Sequence, residues 1–454
     1  MIARKLYSLV STNSISIKSA SKKINNNHKG LLMIVDKKFN LLGVISDADI
    51  RRAIVSGINP ENSITNVYNK NPIKIKSPID QSNIFKVIAT SSFSQKSPSY
   101  IPLVDKNNKV KDLISLEDIF TKKKNNLNKF KKKKNILLIG GAGYIGSVLT
   151  ELLINEGYNV KIFDNFMYGK ESLKSFVNNK KVEIIKGDTR HIEDLSVAFK
   201  DISTVIHLAE LVGDPLCNLN PEKTYEINYL ATNLIITLCK KFFVEKFIYI
   251  SSCSVYGKNI DKKLLAENSK INPLSIYAKL KLNIEEAIIE NTDPAFNYTI
   301  LRLGTVYGKS YRPRFDLVIN LFCGLSATNK PIFINGGNQW RPFVHVKDVA
   351  RSILFVLKDN SKTNKEIFNV ISENSTITEL SNTIKKHNKN IKIKINNNVT
   401  DKRDYKVSAK KINKVLKFKP LFNIEYGISE LIKFVKKKKL NILSSKYRNY
   451  NSKN

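Results

Sequence analysis

A tyrosine and a lysine stand four positions apart in the segment "NPLSIYAKLKLNIEE", residues 272–286. Residues i and i+4 share one face of a helix, so Tyr277 and Lys281 would lie side by side if this segment is helical. A free tyrosine has a pKa of ~10, but a nearby ammonium favours the phenolate. The spacing therefore predicts a Tyr277 hydroxyl that can take a proton from an alcohol. Ordinary helix surface is the alternative, because this spacing is common.

A glycine-rich turn precedes this pair in the segment "NILLIGGAGYIG", residues 135–146. Gly140 permits a tight turn, Gly143 lets backbone N–H groups approach a pyrophosphate, and Gly146 lets a helix pack closely on a strand. Asp164 ends the next apolar run, at the distance expected of a residue that accepts hydrogen bonds from adenosine ribose hydroxyls. Its carboxylate would repel a 2′-phosphate, so NAD is favoured over NADP. A glycine turn that binds nothing is the alternative.

Apolar, β-rich runs alternate with helical stretches through most of the chain after residue 134. The runs are "NILLI" (135–139), "NVKIFD" (159–164), "VEIIKGD" (182–188), "TVIHLA" (204–209), "KFIYISS" (246–252) and "YTILRLG" (298–304). This alternation predicts an α/β fold with a Rossmann-like, doubly wound parallel sheet.

The glycine spacing together with Tyr277-x-x-x-Lys281 resembles the extended short-chain dehydrogenase/reductase superfamily, and within it the NAD-dependent nucleotide-sugar epimerase/dehydratase family. The resemblance implies a domain over residues 135–437 whose smaller substrate lobe is formed mainly by residues 310–345 and 370–437. It also implies further NAD-contacting residues, with Tyr277 and Lys281 among them: Tyr144, Ile145, Asp188, Leu208, Ala209 and Asn228. Two positions depart from the family pattern, Ile139 before the first glycine and Glu210 where a small residue is usual.

Ser252 lies 25 residues before Tyr277, in "ISSCSVYG", and matches the family's Ser/Thr partner of the Tyr–Lys pair. The dehydratase branch carries an acidic pair directly after this position, where this chain has Cys253 and Ser254. The resemblance therefore implies contacts of these two residues with substrate, and epimerisation through a keto sugar or a net oxidation or reduction, in place of water elimination. A nucleophilic Cys253 is disfavoured, because no activating base is visible.

Two arginines match family positions that hold the nucleotide diphosphate. Arg341 lies in "GGNQWRPFVHVKDVA" (336–350), and Arg403 lies in "DKRDYKVSAKK" (401–411). A bidentate guanidinium suits phosphate oxygens. A surface salt bridge is the alternative for each arginine.

Residues 1–121 contain an internal repeat, in which "LLMIVDKKFNLLGVISDADIRRAI" (31–54) is echoed by "SYIPLVDKNNKVKDLISLEDIF" (99–120). This part resembles a pair of CBS domains, small α+β modules that bind adenosine nucleotides. The resemblance implies ligand-ribose contacts by Ser46 and Asp49 in copy one, and by Ser115 and Asp118 in copy two. Helix capping without a ligand is the alternative.

The segment "KKKNNLNKFKKKK" (122–134) contains eight lysines and is predicted to be a linker, and residues 438–454 are predicted to be a disordered tail. The net charge is +37, and 65 of the 76 basic residues are lysines scattered along the chain. Lys, Asn and Ile share A/T-rich codons, so we expect a solvated basic surface that favours anionic small molecules, and no nucleic-acid partner.

Four widely spaced cysteines and five histidines show no ligand spacing, so we expect a cytoplasmic protein without a metal site. No run approaches the ~20 apolar residues of a membrane span. The family resemblance implies a homodimer. Taken together, the leading hypothesis is an NAD-dependent nucleotide-sugar epimerase for cell-surface polysaccharide synthesis, with adenylate sensing by the CBS pair. A net oxidoreductase and a non-catalytic nucleotide-sensing Rossmann protein are the alternatives.

Overall fold

The computed structural model describes residues 6–77, 100–115, 135–259, 263–290, 296–396, 398 and 403–450. The chain divides into two compact units, residues 1–132 and residues 133–454. The division falls in the lysine-rich segment 122–134, which itself lies outside the described residues.

The described residues of the N-terminal unit form two small sheets, in the orders β1-β2-β3 and β4-β5-β6. The strands are β1 (Val10–Ser11), β2 (Leu31–Val35), β3 (Leu41–Ser46), β4 (Ile75–Lys76), β5 (Tyr100–Val104) and β6 (Val110–Ser115), and the described helices are α1 (Ile17–Asn27) and α2 (Asp47–Val55). Strand β2 is buried along its whole length, and the apolar face of α1 joins the same core.

The two hairpins of this unit are equivalent pair by pair. Leu31 pairs with Ser46 in the first hairpin and Tyr100 pairs with Ser115 in the second, each residue 69 positions before its counterpart. Both hairpins shift register near the same end of their first strand. This correspondence supports the internal repeat inferred from the sequence.

The larger unit is built on a seven-stranded sheet in the order β17-β13-β11-β10-β7-β8-β9, and every neighbouring pair is parallel. Its strands are β7 (Asn135–Ile139), β8 (Asn159–Asp164), β9 (Val182–Lys186), β10 (Thr204–His207), β11 (Lys246–Ser252), β13 (Tyr298–Leu303) and β17 (Glu366–Val370). The predicted doubly wound parallel α/β fold is therefore confirmed. The order reverses between β7 and β10, and in such sheets ligands bind at this point, beyond the carboxyl ends of the strands.

The helices of this unit alternate with its strands. They are α3 (Tyr144–Asn155), α4 (Ile192–Ala198), α5 (Asp214–Leu219), α6 (Pro221–Thr224), α7 (Ala231–Lys241), α8 (Ile276–Ile289), α9 (Val318–Ala327), α10 (Val346–Lys358), α11 (Asn360–Thr363), α12 (Ile377–His387), α13 (Lys410–Leu416) and α14 (Ile424–Lys438). Helices α3 and α10 pack together against one face of the sheet, because apolar residues repeat along one side of each.

A second lobe has its own apolar core, which includes residues of α9, α12 and α14. Its short strands are β14 (Thr305–Tyr307), β15 (Ile332–Asn335), β16 (Trp340–His345), β18 (Glu373–Thr376) and β19 (Ile393–Asn396), while β12 (Leu264–Leu265) pairs with β20 (Lys406–Val407). Most of these elements fall within 310–345 and 370–437, whereas β14 and β12 lie outside these ranges, and the bounds of the substrate lobe stay a prediction.

The predicted disorder after residue 438 is wrong for the part of the tail that the structure describes, up to Tyr450. Ile442 is 1% exposed and packs with Phe315, whose backbone N–H donates to Tyr447 O at 2.8 Å. The tail has few apolar residues, but Ile442, Leu440 and Tyr447 pack against Phe315, which is far away in sequence.

A buried ion pair ties α8 to the sheet. Arg302 of β13 donates from Nη2 to Glu285 Oε2 at 2.6 Å, and these side chains are only 3% and 1% exposed. Ser251 of β11 donates to the other oxygen of the Glu285 carboxylate, and Arg302 Nη1 donates to the Tyr256 hydroxyl at 3.0 Å. Two neighbouring strands and one helix are thus held by one carboxylate.

We expect Glu285→Gln to lower the free energy of unfolding by about 3–5 kcal/mol, because it leaves the Arg302 charge buried without a counter-charge. Denaturant unfolding followed by circular dichroism measures the change. Glu286→Gln, on the exposed face of the same helix, is the matched control and should change stability by less than about 0.5 kcal/mol. Equal losses for the two variants would contradict the expectation.

Candidate active site

The glycine turn between β7 and α3 has no room for larger side chains. Gly140 has φ +86°, and a Cβ there would lie 2.7 Å from the backbone nitrogen of Ala209. A Cβ at Gly146 would lie 2.5 Å from Gly140 O. Gly143 is the N-cap of α3 and supplies no side-chain cap, so the turn presents backbone N–H groups as a cradle for an anion.

A cavity of about 330 Å³ lies over this turn at the carboxyl ends of the parallel strands, and we call it the main cavity. Ten of the predicted cofactor-contacting residues line it: Gly140, Gly143, Tyr144, Ile145, Gly146, Asp164, Leu208, Ala209, Tyr277 and Lys281. The side-chain-free turn and the helix N-terminus fit the pyrophosphate of a dinucleotide.

Asp164 ends β8 and faces the main cavity. Its carboxylate accepts backbone N–H bonds from Ala142 at 3.0 Å and from Phe166 at 2.8 Å. Burial raises the pKa of Asp164, and these hydrogen bonds oppose the rise. A carboxylate has about four lone-pair sites, so acceptor positions remain for ribose hydroxyls.

Two predicted cofactor residues do not line the main cavity. Gly187 and Thr189 line it, but the Asp188 side chain between them accepts from Arg190 Nη2 at 2.8 Å. Asn228 is buried and exchanges two hydrogen bonds of 2.9 Å with the backbone of Leu211, a residue of the cavity wall. The structure thus gives Asp188 a local ion pair and Asn228 a supporting role, because both side chains have nearer partners than the cavity.

The predicted catalytic trio is brought together at the main cavity. Helix α8 begins after Ser275, whose hydroxyl accepts from Ala278 N at 3.2 Å, and this start places Tyr277 and Lys281 on its buried face. Ser252, at the end of β11, lines the same cavity and forms a hydrogen bond that lowers the pKa of Tyr277. Lys281 Nζ lies 5.8 Å from the centre of the Tyr277 ring.

The surroundings of the Tyr277 hydroxyl contain a counter-charge that the sequence does not reveal. Burial raises the pKa of the Tyr277 hydroxyl well above its usual value, and the Glu210 carboxylate raises it further. Glu210 Oε2 lies 2.7 Å from Lys281 Nζ, so the ammonium that was expected to ionise the phenol is paired with an anion. The Tyr–Lys spacing predicts the ammonium correctly but cannot reveal its counter-charge.

The two residues after Ser252 behave differently from each other. Cys253 does not line the main cavity, because its thiol is buried, donates to Arg302 O at 3.3 Å and has its pKa raised by burial. Its predicted substrate contact is therefore not supported. Ser254 lines the cavity, and its hydroxyl is buried without a hydrogen-bond partner among the described residues. That hydroxyl is available to a ligand.

Four arginines line the described part of the main cavity, and two of them lie in the sequence motifs quoted above. Arg341 is buried, whereas Arg403 is half-exposed and paired with Asp214 Oδ2 at 2.8 Å. The two that were missed are Arg312 and Arg314, in the loop before α9. Their positions in the sequence were visible, but no local pattern shows that this loop returns to the glycine turn.

The C-terminal tail contributes to the wall of the main cavity beside Asp164. Arg312 lies close enough to lower the pKa of Asp164, and its Nη1 donates to Asn449 Oδ1 at 2.7 Å. The Arg312 guanidinium also lies 4.1 Å from the centre of the Tyr168 ring. Asn449 itself lines the cavity, so the end of the tail closes the side expected to hold adenosine.

Deletion of residues 444–454 should weaken NAD binding by about tenfold, because Asn449 and the orientation of Arg312 are lost together. Isothermal titration with NAD measures the dissociation constant. Deletion of residues 451–454 alone keeps Asn449 and serves as the control, for which we expect no change. Unchanged affinity in the longer deletion would show that the tail does not contribute to cofactor binding.

The proposed nucleotide-binding residues of the N-terminal unit form a helix cap. Ser46 and Asp49 make a capping box at the start of α2, with Asp49 N donating to Ser46 Oγ at 3.3 Å, and Arg52 pairs with Asp49. Ser115 ends β6 and is buried, and Asp118 lies outside the described residues. In the first copy these residues cap a helix, and their contact with a nucleotide stays a prediction.

The parallel sheet, the glycine turn and the Ser–Tyr–Lys set define a dinucleotide-binding enzyme fold. Residues 136–370 match the family model described as "NAD dependent epimerase/dehydratase family", and residues 12–56 match the CBS domain model. The first match covers more than half of the chain. This protein therefore belongs to the NAD-dependent epimerase/dehydratase family, with NAD as its cofactor, and it carries an N-terminal CBS domain. The second CBS copy stays a prediction.

Individual relatives agree with this assignment. A "Putative UDP-glucose 4-epimerase" of Methanocaldococcus jannaschii is 36% identical over 256 residues, which are 55% of this chain and 81% of that protein. The bovine (Bos taurus) sterol-4-alpha-carboxylate 3-dehydrogenase, decarboxylating, is 30% identical over 224 residues, 48% of this chain and only 59% of that enzyme. The structure of UDP-glucuronic acid 4-epimerase from Bacillus cereus, in complex with UDP-glucuronic acid and NAD, superposes with a TM-score of 0.61 at 26% identity, covering 67% of this chain and 99% of that one.

None of the helices in the described ranges combines the length and the hydropathy needed to cross a bilayer.

Proposed function

We propose that this protein is an NAD-dependent nucleotide-sugar epimerase that oxidises a ring alcohol to a transient keto sugar and reduces it again with inverted configuration. The observation that carries the proposal is the convergence of Ser252, Tyr277 and Lys281 on a cavity that also contains the glycine turn and several arginines. The epimerases among its relatives support the same reaction class. A non-catalytic sensor would have no need of this hydroxyl–hydroxyl–ammonium set.

The chain's own residues account for the proton movements. Bound NAD would accept a hydride from the sugar carbon and return it. Tyr277 would take the proton of the sugar hydroxyl as the C–H bond breaks, and would give it back when the carbonyl is reduced. Ser252 would hydrogen-bond the same oxygen and hold it in line with Tyr277.

The substrate side fits an anion that carries two phosphates. Arg341 and Arg403 both line the main cavity, and a planar guanidinium can hold two phosphate oxygens at once. Ser254 contributes an unpaired hydroxyl in place of the acidic residue needed for water elimination. These features favour 4-epimerisation over dehydration.

We place the reaction in cell-surface polysaccharide synthesis in the cytoplasm, carried out by a homodimer.

Tyr277→Phe should reduce turnover by at least about a thousandfold, because it removes the proton acceptor and leaves the ring in place. The measurement is NMR of a panel of UDP- and GDP-sugars incubated with the protein and NAD. NAD affinity by calorimetry should stay within about threefold of the parent value, which separates lost chemistry from lost binding. Activity that survives in this variant on every sugar tested would refute the mechanism.

A net oxidoreductase is the second candidate, favoured by the similarity to a sterol-carboxylate dehydrogenase. The two functions differ in whether the reduced cofactor accumulates. Absorbance of the reduced nicotinamide during turnover distinguishes them, since an epimerase recycles its cofactor and shows no net change.

We propose further that the CBS module binds an adenine nucleotide and regulates the enzyme. Calorimetry with AMP, ADP and ATP should give a dissociation constant in the millimolar range or tighter, and Ser46→Ala should weaken it by about tenfold. Ser16→Ala removes the cap of α1 and is the matched control, because it costs a helix cap away from the proposed ligand residues. Absence of heat with all three nucleotides would remove the regulatory proposal and leave Ser46 as a structural cap.

A further inference from the structure

Glu210 follows strand β10 and places a buried carboxyl group in the wall of the main cavity. Burial raises the pKa of Glu210, and the Lys281 charge and the hydrogen bond from Tyr249 oppose the rise. Its side chain is 3% exposed, and its Oε2 lies 2.7 Å from Lys281 Nζ. The hydroxyl of Tyr249, on β11, donates to Glu210 Oε1 at 2.8 Å. The same residue is one of the two positions at which the sequence departs from the family pattern that it resembles.

The contacts of Glu210 fix the position of Lys281. The ammonium also donates to Ile250 O, and its Nζ lies 4.7 Å from the centre of the Tyr249 ring. An ammonium has three N–H groups. One of them is donated to Ile250 O, and the ammonium also forms the ion pair with Glu210, so its position is fixed from two sides.

We propose that Glu210 is a positioning residue that anchors Lys281 and sets the pH range in which Tyr277 exchanges its proton. This inference rests on the proposed function, because it concerns the same proton acceptor. Its geometric basis is the line of contacts from Tyr249 through the Glu210 carboxylate to the Lys281 ammonium, which faces the buried Tyr277 ring.

The charge effect has a definite sign. A lone ammonium beside Tyr277 would stabilise the phenolate, but a carboxylate on that ammonium cancels most of its field. Burial raises the pKa of Tyr277, Glu210 raises it further, and the Ser252 hydrogen bond acts in the opposite direction. Tyr277 therefore stays protonated to higher pH than the Tyr–Lys spacing alone implies, and removal of the Glu210 charge lowers its pKa.

Other titratable groups around Glu210 come from each element packed against it. They are Lys281, Tyr277 and Glu285 of α8, Tyr249 of β11, His207 of β10, and Asp214 and Cys217 of α5. Burial and the Lys281 charge lower the pKa of His207 to about 3, so His207 is neutral in the working range. Burial raises the pKa of Cys217 to about 12, so its thiol is neutral as well. Asp214 is paired with Arg403. Glu210 is thus the carboxylate in direct contact with Lys281.

The first test is the pH profile of kcat/KM, measured on a nucleotide sugar that the parent protein converts. Tyr277 acts as a base in its ionised form, so activity rises as pH passes its pKa. In Glu210→Gln the rising limb should move to lower pH by about one unit. Glu210→Ala, which restores the small residue typical of the family, should move it in the same direction. Glu286→Gln removes a charge from the exposed face of α8 and should leave the limb in place.

A limb that stays in place in both Glu210 variants, or moves equally in the Glu286 control, would overturn the inference. Loss of Lys281 anchoring should also raise KM for NAD severalfold in Glu210→Ala, and less in Glu210→Gln, whose amide can still accept from Lys281.

The second test needs no turnover and separates this inference from the proposed function. Ultraviolet titration of tyrosinate is compared between the parent and Tyr277→Phe, and between Glu210→Gln and the double variant. Each difference between a background and its Tyr277→Phe variant gives the titration curve of Tyr277 alone. The ionisation of Tyr277 should begin at lower pH in the Glu210→Gln background than in the parent. If no sugar is converted, the proposed function fails while this shift is still measurable. Identical titration of Tyr277 in both backgrounds would overturn the role of Glu210.

Discussion

The buried pair of Glu285 and Arg302 is the constraint on which the site depends. Glu285 lies four residues after Lys281 and eight after Tyr277, so one face of helix α8 carries a carboxylate, an ammonium and a phenol in succession. The carboxylate is held by β13 and by Ser251, the neighbour of Ser252. One charge pair therefore sets the distance between the strand end and the helix, and with it the separation of the Ser252 and Tyr277 hydroxyls.

Burial has opposite consequences at the two ends of that helix face. At Glu285, burial makes the carboxylate depend on Arg302 as its partner, since neither charge can be solvated by water instead. At Tyr277 it works against the phenolate, and the Glu210–Lys281 pair adds little positive field to offset the effect. The surroundings of the Tyr277 hydroxyl are thus nearly neutral and shielded from water. Positive charge is placed instead on the arginines, where phosphates would lie.

The parts of the fold and site that could be predicted are those determined by residues close together in the sequence. Gly140 and Asp164 belong to one strand–turn–helix–strand unit, and Tyr277 and Lys281 to one helix, so spacing alone located them. Arg312 lies near the glycine turn only because the chain folds back after more than 150 residues. No local sequence pattern encodes such a long-range contact. For the same reason Glu210 could be recognised as unusual but not assigned a partner, and the ion pair of Asp188 with Arg190 was not anticipated.

The contact between Arg312 and Asn449 joins positions 137 residues apart, and that between Tyr168 and Asn449 joins positions 281 apart. Both contacts place the end of the described chain beside the unit that contains the glycine turn and Asp164. The side of the main cavity expected to hold adenosine is therefore completed only by residues that follow the whole parallel sheet in the sequence.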